Sequence, residues 1–193
     1  RDYTFKEVRG PHTISATFAP VVRSFWKGAG RIAPAGEVVL PRGTMVSFAV
    51  QADTGSHLAG IWTNVRYMAP ALVSNSAVAE LTATNISWGP VDGPGEIRAA
   101  FEYDLHTIVV TSRWGGVVIN GGDVPSSYGK TLPWGTELTC AVPGSPLEIG
   151  AARFACIGWT GAGSVPLAGS GTNTGLFRLR EDSAITWHWA ELG

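Results

Sequence analysis

The stretch LPRGTMVSFAV, from Leu40 to Val50, returns as LPWGTELTCAV between Leu132 and Val142, 92 positions further on. Leu, Pro, Gly, Thr, Ala and Val are identical in the two copies. A chain that repeats itself at such an interval folds as copies of one unit, and the interval is too long for a single solenoid rung. A second repeat sets the limits of the copies. YTFKEVRGPHTISATF, Tyr3 to Phe18, matches ISWGPVDGPGEIRAAF, Ile86 to Phe101, at a constant displacement of 83. Gly10-Pro11 answers to Gly93-Pro94, Ile14 to Ile97, Ala16 to Ala99 and Phe18 to Phe101. The same closing segment recurs as Ile185 to Trp189, with Trp189 in the place of Phe101 at a displacement of 88. Ile61-Trp62-Thr63 lines up with Gly158-Trp159-Thr160 at 97, so loops differ in length between shared strands. The expected division is 1–19, the closing strands of a preceding repeat or a pairing arm; 20–102, a full β unit; and 103–193, a longer β unit.

Alternation gives the type of element. Ile14, Ala16 and Phe18 fall on one side and Thr13, Ser15 and Thr17 on the other, the period of a half-buried strand, after a Gly10-Pro11 turn. The same reading predicts strands over 44–51, 58–65, 95–102, 105–112, 136–142, 153–159 and 183–190. The span from Ala71 to Trp88 has no Gly or Pro; its Thr, Val and Ile favour strand, with a short helix near Ala77 to Leu81 as the alternative. The fold class is therefore all-β: tandem small antiparallel β domains, sandwich-like or small barrels, with little or no helix.

Charge then excludes some functions. Net charge is −1, which offers no basic field to nucleic acid or an anionic membrane. Charged residues make up 15%, below the roughly 25% of ordinary soluble domains, which together with abundant Gly suits an extracellular setting. No apolar run reaches the ~18 residues of a membrane helix. The chain opens in mid-pattern without the basic and apolar regions of a signal peptide, so further residues are expected upstream.

Two cysteines interrupt the repeat. Cys140 stands where the earlier copy has Phe48, and Cys156 aligns with Ala59. A core site that replaces one large and one small side chain by two cysteines suggests that the positions touch. A Cys140–Cys156 disulfide and an oxidising compartment are expected, against the alternative of two buried thiols. Two cysteines alone do not make a structural zinc site.

Little else carries chemistry. His57 lies beside Ser56 and near Asp53, but no nucleophile elbow is present, and catalysis is not expected. His12 and His188 belong on solvent faces, and Glu181-Asp182 on a turn. Asn120-Gly121-Gly122-Asp123 offers oxygens to a calcium ion, but it has one acidic residue and an ordinary hairpin turn is the favoured explanation. Otherwise no cofactor is expected. Trp187 and Trp189 alternate into the core. Trp26, Trp114 and Trp134 lie near turns and are expected to be exposed; Trp114 and Trp134 are the candidates for stacking on a sugar ring, with packing against the next repeat an equal alternative.

YTFKEVRGPHTISATFAP, GRIAPAGEVVLPRGTMVSF, LPWGTELTCAV, FACIGWTGAGSVPLAGSGTNTG and SAITWHW together resemble bacterial extracellular modules related to the divergent internalin-type B repeats. The middle copy departs from that pattern, with Gly60-Ile61-Trp62 in place of Gly-Trp and Gly95-Glu96 in place of His-Thr. The resemblance implies tandem building blocks of a large secreted or surface protein and no catalytic residues. The expected role is non-enzymatic: a stalk, spacer or filament-forming segment whose partners are neighbouring repeats, with strand addition through Ile14, Ala16 and Phe18 as a means of self-assembly. A carbohydrate-binding module is the alternative.

Overall fold

The computed structural model describes residues 4, 6, 7, 9–63 and 81–193. No helix occurs among them, and every regular element is a strand. The first group is β1 (Val21–Lys27), β2 (Gly30–Ala33), β3 (Gly36–Val39), β4 (Thr44–Ala52), β5 (Ser56–Thr63), β6 (Ala83–Val91) and β7 (Gly95–Tyr103). The second group begins with β8 (Leu105–Ser112), β9 (Val117–Ile119), β10 (Gly122–Val124), β11 (Ser127–Pro133), β12 (Glu137–Leu138) and β13 (Cys140–Ala141). It continues with β14 (Leu147–Ile149), β15 (Ala152–Ala162), β16 (Ala168–Gly169), β17 (Phe177–Arg178) and β18 (Ser183–Leu192). Leu81 and Thr82 are outside any helix, and the rest of the helix alternative near Ala77 lies outside the described residues.

The two groups share one topology. In unit one the main sheet runs β3-β1-β7-β5; in unit two it runs β11-β8-β18-β15-β14, with β16 also on β15. In each, the last strand lies at the centre, parallel to the first strand and antiparallel to the strand that carries the second half of the unit. A smaller sheet, β2-β4-β6 in unit one and β10-β9-β13 in unit two, supplies the opposing layer. The buried side chains form two clusters, one between Val22 and Phe101 and one between Ile108 and Trp187.

Local sequence accounts for most of this. Along β4, Val46, Phe48, Val50 and Ala52 are buried and the residues between them are not, the alternation of a sheet with one wet face. The LPxGT repeat is a turn with the same chemistry twice. Thr44 donates N–H and Oγ–H to the Pro41 carbonyl, and Thr136 does the same to Pro133, with Gly43 and Gly135 at φ 81 and 79. That positive φ at the third turn position favours glycine. Asn120-Gly121, with φ 47 and 81, forms the two-residue hairpin between β9 and β10.

Three expectations need correction. The segment Thr13 to Phe18 is not a strand; Ile14 and Phe18 stay 61% and 80% exposed, and Ala16 is exposed. Its counterparts β7 and β18 are strands because a parallel and an antiparallel neighbour flank them. No such neighbours flank this segment among the described residues, and alternation alone does not hold an isolated strand.

The second correction concerns the alignment of β5 with β15. Both strands carry a bulge at the same place, between Leu58 and Gly60 and between Cys156 and Gly158. Leu58 pairs with Phe101 and Cys156 with Trp189; Ile61 pairs with Ala99 and Trp159 with Trp187. Cys156 is therefore the counterpart of Leu58, not of Ala59, and Trp62 is the counterpart of Thr160, not of Trp159.

Third, Cys140 and Cys156 are both unpaired. The Cys156 Sγ lies 3.7 Å from the Gly158 carbonyl oxygen and 3.9 Å from that of Gly171. Volume explains the substitution better than cross-linking does. Unit one fills its core with Phe48, Leu58, Ile61, Ala99 and Phe101; unit two has Cys140, Cys156, Trp159, Trp187 and Trp189 at those places. Cysteine behaves as a small hydrophobe and leaves room for the larger indoles. Burial pushes the Cys140 thiol up to about 11.

Thiol titration tests this. Two thiols per chain should react with a disulfide reagent in denaturant without prior reduction, and Cys140 should not react in the native state. Because the unfolded thiol ionises near 9.0 and the folded one near 11, stability should fall as pH rises through that interval. This part of the alkaline loss should vanish in Cys140→Ala.

Candidate functional site

Between the two units the chain runs through Tyr103, Asp104 and Leu105, and the contacts there are specific. The Asp104 N–H donates to the Gly55 carbonyl at 2.9 Å, and the Trp134 N–H donates to the Asp104 carbonyl at 2.7 Å. The half-buried His57 Nδ1 sits 2.8 Å from Asp104 Oδ1. The Trp134 indole lies directly against Gly55: a Cβ added there would be 2.0 Å from Trp134 Cδ2. The Arg180 guanidinium also stacks over this indole, 5.7 Å from the ring centroid. The β4–β5 hairpin of unit one is thus clamped by the LPWGT turn of unit two.

Sequence reasoning left Trp134, placed near a turn, two roles: a sugar platform or packing against a neighbouring repeat. The structure puts it to use within the chain, where its half-buried ring holds the junction. Trp114, the other candidate, packs tilted on Phe154 at 5.3 Å with Arg113 over its ring at 4.9 Å. The two tryptophans are not brought together in one platform by any described contact.

The remaining candidates each have partners within the fold. Ser56 is 1% exposed, and its hydroxyl lies within hydrogen-bond distance of the Ala29 and Asp53 carbonyls; the partner of His57 is Asp104. His188 is exposed and bonds Thr160. Asp182 accepts the Thr107 N–H. In the Asn120–Asp123 turn, the Asn120 amide oxygen accepts the Thr139 N–H at 2.7 Å, and its nitrogen donates to the Glu137 carbonyl. Among the described residues no cluster of three His, Cys, Asp or Glu side chains suits a metal ion.

What sequence reasoning missed is an exposed aromatic pair on unit one, Phe25 and Trp62, 44% and 40% exposed. Trp26, expected near a turn, is 43% exposed. The alignment of Trp62 with the inward-facing Trp159 concealed the pair, and only the shared bulge reveals the correct partner. Comparison of the chain with family models, with curated protein sequences and with solved structures finds no match.

Gly55→Ala should break the junction. With Trp134 in the way and φ at +75, the substitution is expected to cost roughly 1–3 kcal/mol of unit-one stability. It should also separate a single thermal transition into two, followed by calorimetry. Trp134→Ala should separate the transitions without the backbone strain.

Proposed function

We propose that this chain is a non-enzymatic structural segment of a secreted or surface-exposed bacterial protein, in which tandem β units are held in a fixed relation and act as a spacer. The observation that carries the reading is the junction. A flexible linker would leave the two units independent, whereas Gly55, His57, Asp104, Trp134 and Arg180 tie hairpin, linker and turn together within one short stretch. The resemblance to internalin-type B repeats supports the location and the tandem arrangement.

A second feature favours neighbours of the same kind. At the position of Trp134, unit one has Arg42, which borders an open groove of about 460 Å³ with Phe18, Pro20, Asp92 and Pro94. The equivalent end of unit two is where the Gly55 hairpin docks. A preceding repeat offers a hairpin of the same type to that groove. The exposed Ile14, Ala16 and Phe18, outside any strand here, would gain flanking strands from such a repeat, or from another chain in a filament built by strand addition.

Sedimentation and small-angle scattering of residues 1–193 beside a version lacking 1–19 separate the two. The spacer reading expects monomers in both cases and a fixed inter-unit distance that broadens in Trp134→Ala. Oligomers that disappear with the deletion would replace the spacer with a polymer subunit.

A further inference from the structure

The same three-strand row has different chemistry in the two units. In unit one, Phe25 on β1 pairs with Arg98 on β7, and Arg98 pairs with Trp62 on β5. In unit two the corresponding row is Thr111 on β8, Thr186 on β18 and Thr160 on β15, paired in the same way. All six side chains face solvent. The fold is satisfied there by three threonines, which are good strand formers with little exposed apolar surface. Two exposed aromatic rings and a guanidinium are therefore not required by the architecture.

In unit one these groups are arranged. Gly60, the neighbour of Ala100 across the bulge, has no side chain, and the Trp62 ring lies over it: a Cβ at Gly60 would be 2.8 Å from Trp62 Cη2. The Arg98 guanidinium stacks over Phe25, 5.4 Å from the ring centroid, and both its Nε and Nη2 donate to Glu96 Oε2, at 3.2 and 2.8 Å. The row is thus fixed and its central charge is balanced. With Trp26, Lys27 and Ala99, these three residues line an open groove of about 480 Å³. Phe25 and Trp62 stand two strand spacings apart, roughly 10 Å, with hydrogen-bonding groups between them.

From this arrangement we infer that the outer face of unit one is a binding site for a neutral polysaccharide chain. The faces of the Trp62 and Phe25 rings not occupied by Gly60 and Arg98 take the C–H faces of two pyranose rings. Arg98 and Glu96 hydrogen-bond hydroxyls between them. A neutral chain fits because Arg98 is paired with Glu96, which leaves Lys27 as the one further charge among the groove's lining residues, too little to recognise a polyanion. The site is independent of the spacer reading, since it involves none of the junction residues.

The test uses the whole chain and hexasaccharides of β-linked glucose, xylose and mannose, with tryptophan fluorescence and calorimetry as readouts. Saturable binding to one of them is expected, weakened about tenfold for each ring removed. The variant Phe25→Thr/Trp62→Thr installs the side chains of unit two; an unchanged melting temperature shows that it folds, and its binding should be lost. Thr160→Ala, at the matching site of unit two, should bind as the parent does. Absence of saturation with all three sugars overturns the proposal, as does undiminished binding by the double variant. Self-association abolished by Phe25→Thr/Trp62→Thr would also overturn it, because it would assign the face to a second copy of the chain.

Discussion

Each unit depends on its last strand reaching the middle of its main sheet. β7 enters between β1 and β5, and β18 between β8 and β15, one neighbour parallel and the other antiparallel. The core therefore closes only when the two ends of a unit of some 80 residues meet, a non-local contact that must overcome the entropy of a long loop. Ile97, Ala99 and Phe101 are buried by that placement, and Ile185 and Trp187 likewise. Thr13 to Phe18 shows the dependence from the other direction. It has the same alternation and the same preceding Gly-Pro, yet Phe18 is 80% exposed, and no strand flanks the segment among the described residues.

Once the sheet is closed, the two units are free to differ in side chains so long as large and small ones trade places inside. Phe48 and Leu58 give way to two cysteines where Ile61 and Ala99 give way to two tryptophans. The exchange has a cost: the indole N–H groups of Trp159 and Trp187 are buried without a hydrogen-bond partner among the described residues. Apolar volume and ring packing, with the Trp159 and Trp187 centroids 5.3 Å apart, offset it. Outside, the constraint is weaker still, since a solvent-facing strand position accepts threonine or tryptophan alike. This is why the Phe25–Arg98–Trp62 row exists in one unit and its threonine counterpart in the other.

The junction combines both kinds of freedom. The LPxGT turn is the same in each unit down to the two hydrogen bonds from threonine to proline, and only its second turn residue differs, Arg42 against Trp134. In unit two the indole rests on a glycine that accepts no side chain, so one substitution in a common turn becomes an inter-unit contact.

Much of this was legible in the amino-acid sequence. The repeats and the alternation of β4, β7, β8 and β18 established an all-β chain and placed those strands within a residue or two. Strand β1 was missed because its inward row includes Ser24, which is buried only because its hydroxyl reaches the Pro34 carbonyl. β9, β10 and β14 are three residues each, too short for a period to register. The disulfide expectation and the oversight of Trp62 share one cause. A bulge is a count of residues on one strand against those on its partner, and no single segment contains that count. Sequence by itself determined which residues alternate, where turns fall and that one unit is used twice. Only the pairing of β5 with β7 and β15 with β18 decided which side chains of those strands face the core, because one unpaired residue turns every later side chain to the other face.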